Sequence, residues 1–167
     1  FTWTVPGWPA DRQILGPLQT AARRVRIDQA FKDGSMAVHA LGGSTHTESL
    51  ELEDLVRSLH YASDVARTHG QAAPIAAKMT DVPEHSWVMP TLLKNAGVKF
   101  LQLGCNPACQ YPRFPQLFWW EGPDGSRVLC NYTIDYGNGV NRPAGWPSRN
   151  LLALIMIPLS IIVSSIL

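Results

Sequence analysis

Two short stretches of this sequence concentrate side chains able to do acid–base or ligand chemistry. Thr45-His46-Thr47-Glu48 supplies an imidazole and a carboxylate, and Asp81-Val82-Pro83-Glu84-His85 supplies two carboxylates and a second imidazole. Carboxylates beside imidazoles can hold a divalent metal through oxygen and nitrogen, or set a carboxylate nucleophile near an acid, which is the equipment of hydrolases. Each residue also has a plain structural reading. Asp81 precedes a proline and a helical run and fits a turn or cap. His85 fits a helix start, and Glu48 precedes the acidic run Glu51, Glu53, Asp54, where negative charge favours a helix N-terminus. His39, within a strand-like run, reads as a packed core histidine, and His60 and His69 read as the solvated face of a helix.

The tryptophans carry the same double reading, because an aromatic face stacks on a sugar ring and equally fills a core. Trp3 is a candidate for substrate contact, beside Trp8, Trp119, Trp120 and Trp146. Of the pair Trp119 and Trp120, one must face inward, since successive strand residues point to opposite sides. Cys105, Cys109 and Cys130 are odd in number, and no second Cys/His pair at zinc-finger spacing follows Cys105-Asn-Pro-Ala-Cys109, so they read as buried or free thiols. No GxGxxG, P-loop, GxSxG or HExxH pattern occurs, and Gly42-Gly43 alone does not make a phosphate loop.

The elements that must position these residues follow from hydrophobic periodicity. Phe1–Val5 reads as a strand running into a loop at Pro6-Gly7, and Leu18, Ala21, Ala22, Val25 and Phe31 give a helical face closed by Gly34. Met36–Leu41 predicts a second strand, and Leu52 through Ala66 recur at helical spacing up to Gly70. Pro74–Thr80 predicts a third strand, Ser86–Ala96 a third helix stopped by Gly97, and Val98–Leu103 a fourth strand before the loop Cys105–Pro115. Leu117–Glu121 and Arg127–Thr133 flank Gly122-Pro123-Asp124-Gly125 and predict a β-hairpin. This alternation predicts an α/β fold with a parallel sheet, flanking helices and a hairpin. In such folds ligands bind at the carboxyl ends of strands, where His46, Glu48, Asp81 and His85 all fall.

With 46% apolar and 16% charged residues, the 167-residue chain is too apolar for intrinsic disorder. Its 14 Lys and Arg against 13 Asp and Glu, without a basic block, exclude the electrostatic footprint of a nucleic-acid binder. No signal-peptide pattern opens the chain, and Asn131-Tyr132-Thr133 fits a glycosylation sequon, so cytoplasmic and secretory or vacuolar settings both stay open.

Lys78-Met79-Thr80-Asp81-Val82-Pro83-Glu84-His85-Ser86-Trp87, with Pro90 and Leu92-Leu93-Lys94-Asn95-Ala96-Gly97-Val98-Lys99-Phe100, resembles the central block of glycoside hydrolase family 38, the α-mannosidases and their less characterised relatives. His39-Ala40-Leu41 with Thr45–Glu48 resembles the preceding loop of the uncharacterised branch, and Glu121–Val128 its hairpin. The sequence departs from α-mannosidases in having Val-Pro-Glu where they have Pro-Phe-Gly, which puts mannose specificity in doubt. The resemblance implies that residues 1–150 are part of a catalytic (β/α)7 barrel, of which this chain supplies about half. It implies retaining glycoside hydrolysis of a carbohydrate substrate, with Asp81 as nucleophile and as one ligand of a zinc ion; His46, Glu48, His85 and Trp3 are the candidates for substrate contact. It identifies no acid/base, and the other zinc ligands of the family have no counterpart here, so the chain alone is expected to be inactive and to bind zinc weakly.

Leu151–Leu167 is a 17-residue run without charge. At 1.5 Å per residue it spans about 25 Å, the short end of the transmembrane range, with Pro158 to kink it. It reads either as the product of a frameshift, retained intron or gene-model error on a truncated enzyme, or as the anchor of a carbohydrate-binding or interaction domain without catalysis. Membrane association is expected only through this segment.

Overall fold

Three parallel strand pairings and one antiparallel hairpin organise the chain, described by a computed structural model over residues 2–82, 84–106, 108 and 115–133. In chain order the elements are β1 (Trp3–Pro6), α1 (Gly7–Pro9) continuing into a π-helical turn (Ala10–Ile14), α2 (Ala21–Lys32), β2 (Met36–His39) and a 3₁₀ turn (Thr47–Ser49). They continue with α3 (Leu52–Thr68), β3 (Ala76–Thr80), α4 (Met89–Asn95), β4 (Phe100–Gly104), β5 (Leu117–Glu121) and β6 (Arg127–Thr133). β1 pairs with β2 in parallel, and a four-stranded sheet runs β3-β4-β6-β5, parallel except for the β5–β6 hairpin. The Ala40 N–H donates to the Ala76 carbonyl at 2.8 Å, carrying the chain of hydrogen bonds from the end of β2 to the start of β3. The α/β class, the parallel sheet, its flanking helices and the hairpin are therefore present as expected.

Local chemistry explains where the helices begin and end. The Thr20 hydroxyl caps α2 by accepting the Arg23 N–H at 3.3 Å, and Glu53 and Asp54 lie in the first turn of α3. Gly34, Gly70 and Gly97 follow α2, α3 and α4 with φ of 76°, 70° and 81°, a left-handed conformation that glycine enters without a Cβ clash.

Strand alternation sends one set of side chains toward the helices. Ala77 and Met79 from β3, Leu101 and Leu103 from β4, and Val128 and Cys130 from β6 pack with Leu55, Met89, Leu93 and Val98. A second cluster joins Val5 and Val38 to Ala10, Phe31, Ala62, Val65 and Ala66. The intervening residues His39, Lys78, Gln102 and Asn131 lie on the opposite face of the strands.

Several expectations are corrected. The chain after Pro6 is helical, not a loop, because it packs directly on α3: a Cβ added at Gly7 would lie 2.6 Å from the Ala62 nitrogen, and Gly7 and Trp8 donate to the Leu41 and Gly42 carbonyls at 3.0 Å. Leu18 lies outside α2 and is 98% exposed, and Val25 is 69% exposed, so the apolar face of α2 reduces to Phe31 with the half-buried Ile27 and Ala30. His69 is buried rather than solvated: its ring stacks near Phe31, with centroids 4.9 Å apart, contacts the Val65 carbonyl at 2.8 Å and meets Asp28 at 3.2 Å. β3 starts at Ala76 and α4 at Met89, each later than periodicity alone placed them. His39 is buried as expected, and Trp120 faces the core while Trp119 is 54% exposed. Cys105 and Cys130 are buried free thiols. Cys109, Trp146, most of the Cys105–Pro115 loop and the run 151–167 lie outside the described residues, and no described helix is long and apolar enough to cross a membrane.

Candidate functional site

The loop after β2 and the loop after β3 are held together by hydrogen bonds from side chains that the sequence pattern did not single out. The Ser44 hydroxyl accepts the Thr80 N–H at 2.9 Å, and the buried Thr47 hydroxyl accepts the Ser86 N–H at 2.7 Å. The Thr45 N–H points at the Met79 sulfur at 3.3 Å. These bonds bring the segment carrying His46 and Glu48 against the segment carrying Asp81, Glu84 and His85.

Asp81 stands directly after β3 with φ of 60°, the one non-glycine residue with positive φ among the described residues. Its N–H is held by the Gly104 carbonyl at 2.7 Å, at the end of the neighbouring strand β4. A non-glycine residue in this region costs roughly 1 kcal/mol or more and persists only where surrounding contacts enforce it. Its side chain is exposed at the strand ends.

His85 is partly buried, and its Nδ1 has no hydrogen-bond partner among the described residues. Burial, and then the positive charge that His46 can carry, push its pKa down to about 4, so it is neutral at physiological pH. His46 immediately precedes the 3₁₀ turn and is exposed, as is Glu48 within it. The structure thus brings His46 and His85 within electrostatic reach of each other, on loops joined to the one bearing Asp81.

Trp3 is not part of this cluster. It opens β1 opposite Met36, the first residue of β2, at the strand ends remote from the loops. Trp8, 44% exposed, with Leu41, Gly42, Gly43, Thr45 and Ser58 lines a cleft of about 300 Å³ beside the loop after β2. Trp87, 64% exposed, donates its indole N–H to the Glu121 carbonyl at 2.9 Å. Only side-chain identity could have marked it; its placement depends on the hairpin.

Among the described residues no three His, Cys, Asp or Glu side chains are grouped to hold one metal ion. The described residues therefore do not by themselves make a zinc centre. Burial pushes the Cys130 thiol up to about 12, which keeps it protonated and rules it out as a nucleophile at neutral pH.

No family model matches the chain, and no curated protein matches it. Its fold does match solved structures. An α-mannosidase from Enterococcus faecalis V583 superposes with a TM-score of 0.53 at 16% identity, covering 66% of this chain and 14% of the other. A protein in glycosyl hydrolase family 38 from Enterococcus faecalis gives 0.52 at 14% identity, covering 86% and 15%. A 4-α-glucanotransferase from Thermococcus litoralis covers 98% of this chain and 24% of its own at 13% identity, with a TM-score of only 0.48. The chain thus spans about one seventh of the two family 38 chains, and what it shares with them is the fold of that part.

Proposed function

We propose that residues 1–150 are part of the (β/α)7 catalytic barrel of a retaining glycoside hydrolase, with Asp81 as its nucleophile and His46, Glu48 and His85 as contacts to a carbohydrate substrate. The observation that carries this reading is Asp81 itself: a carboxylate in an unfavourable backbone conformation, at the carboxyl end of a parallel strand, in a loop hydrogen-bonded to the one that carries His46. Strain of this kind concentrates at functional sites. Likeness of fold to family 38 proteins supports the same reading.

In the proposed chemistry a carboxylate oxygen of Asp81 attacks the anomeric carbon while the glycosidic C–O bond breaks. The leaving oxygen takes a proton from a second carboxyl group, which in retaining enzymes stands about 5 Å away. Water then cleaves the glycosyl ester and restores the Asp81 carboxylate. No acid/base is assigned to a described residue. Neutral His85 is suited to a hydrogen bond with a sugar hydroxyl rather than to ion pairing. Trp3 is left out of the site because of its position. Zinc enters only as an ion that Asp81 would share with ligands the described residues do not supply, and no step above uses it.

The test is made in the longer glycosidase that this reading requires. Asp81→Asn there abolishes nearly all turnover of an aryl glycoside, and Asp81→Gly regains turnover with azide, giving a glycosyl azide. An Asp81→Asn enzyme that stays active overturns the assignment. The 167-residue chain alone is expected to be inactive and to bind zinc weakly, and turnover of an aryl α-mannoside or tight stoichiometric zinc binding by it contradicts that expectation.

A further inference from the structure

The strand face turned away from the helices carries a set of hydrogen-bond donors that the proposed hydrolysis does not use. Lys78 of β3 lies directly opposite Gln102 of β4, and Gln102 opposite Asn131 of β6, so the three share one row across the sheet. Their neighbours Ala77, Met79, Leu101, Leu103 and Cys130 point into the helix-side core, which assigns the row to the other face. His39, the last residue of β2, belongs to the same face, since Val38 before it is in the helix-side core. The Ala40–Ala76 hydrogen bond brings the end of β2 against β3.

Two of these groups, His39 and Gln102, each have an enclosed nitrogen without a partner among the described residues. His39 is only 7% exposed, yet its Nδ1 has no partner among the described residues, and the Gln102 side-chain nitrogen is likewise enclosed and unpartnered. Lys78 forms no ion pair among the described residues, unlike Arg12, Lys32, Arg57, Arg67 and Arg127, which each have a carboxylate. The Lys78 charge reaches His39, which burial and that charge hold neutral with a pKa pushed down to about 4. The carboxylate of this strand face, Glu121, is taken by Arg127 at 2.5 Å, and Asp81 stands beyond the strand end. An enclosed polar nitrogen without a partner costs roughly 1–3 kcal/mol, so two of them on one face, beside the half-buried Lys78 ammonium, call for an acceptor-rich, negatively charged group.

We propose that the inner strand face formed by His39, Lys78 and Gln102 binds the carboxylate or phosphate group of a small anionic ligand, with Lys78 supplying the charge and Gln102 and His39 the directed hydrogen bonds. Charge complementarity selects this class: a neutral sugar would leave the ammonium unpaired, and a cation would meet it directly. The inference does not depend on glycosidase activity, because it is read by binding alone.

Two probes distinguish the sources of the anion: inorganic phosphate and D-glucuronate, each titrated into the full 167-residue chain with chloride at matched ionic strength and glucose as controls. The readouts are the NMR shifts of the Gln102 side-chain amide and of the His39 ring nitrogens. Saturable shifts of both residues with at least one probe, absent with chloride and glucose, are expected, and the probe that saturates identifies the anionic group. Lys78→Met weakens binding about tenfold or more, Lys78→Arg retains it, and Lys94→Met, at an exposed position of α4, leaves it unchanged. Gln102→Leu, which keeps the cation, weakens binding by a smaller factor, so the proposal stays testable if Lys78→Met does not fold. Absence of a saturable shift with both probes overturns it, as does wild-type affinity in a folded Lys78→Met or Gln102→Leu chain.

Discussion

The hydroxyl of Thr47, in the loop after β2, accepts the backbone N–H of Ser86, in the loop after β3, at 2.7 Å, and Thr47 itself is only 1% exposed. One buried side chain thus sets the spacing of the two segments that carry His46 and His85. The bond ties the 3₁₀ turn that Thr47 opens to the irregular segment before α4, and both rely on such contacts for their position.

Replacing Thr47 with Val removes the acceptor and keeps the shape. It is expected to lower stability by about 1–3 kcal/mol, the cost of leaving an enclosed N–H unmade, whereas Thr47→Ser keeps the hydroxyl and most of the stability. Urea unfolding of both variants checks this, and equal midpoints for Thr47→Val and wild type would show that the bond contributes nothing.

Asp81 holds its φ of 60° at a cost. Asp81→Gly removes that cost and is expected to raise stability by up to about 1 kcal/mol, while Asp81→Ala lowers it, since alanine keeps the Cβ clash and loses the short polar side chain that tolerates this region. A stabilising glycine at a residue proposed as nucleophile is the signature of conformation retained for function. Thermal melts of the two variants at pH 7 decide the sign.

Acid should destabilise the fold through His39. Its folded pKa of about 4 lies below the ordinary value of 6.5, so between these limits the unfolded chain binds the proton and the folded chain does not. The stability is fully present above pH 6.5 and is lost as pH falls toward 4, by about 3 kcal/mol for a shift of this size. His85, shifted the same way, adds loss in the same window. Comparing urea midpoints of wild type and His39→Gln at pH 7 and pH 4.5 measures it: the variant should lose distinctly less stability on acidification. An identical loss in both removes His39 as the cause.

Periodicity and capping residues made the order of elements legible, since α3 and the four long strand runs carry their own patterns and the glycines at 34, 70 and 97 mark helix ends without help from the rest of the chain. Position after a strand likewise marked Asp81 and His85 as loop residues. Elements stabilised from outside were not legible. α1 forms because Gly7 lets the chain lie on Ala62, a contact across 55 positions that no local window contains. His69 looked solvated on a helix because its partners Phe31 and Asp28 come from α2.

The candidate site divides along the same line. Residue type and the strand–loop–helix rhythm were enough to name His46, Glu48, Asp81 and His85 and to place them at one end of a parallel sheet. Only the tertiary structure decided that Thr47 and Ser44 join their loops, that Asp81 is held with positive φ by Gly104, and that Trp3 sits at the other end of β1. It also decided that His39, Lys78 and Gln102 share a face, because strand register brings together residues up to 63 positions apart. Local pattern follows from backbone geometry over a few residues, whereas pairing of loops, strain and register are set by contacts between segments whose separation the linear order does not encode.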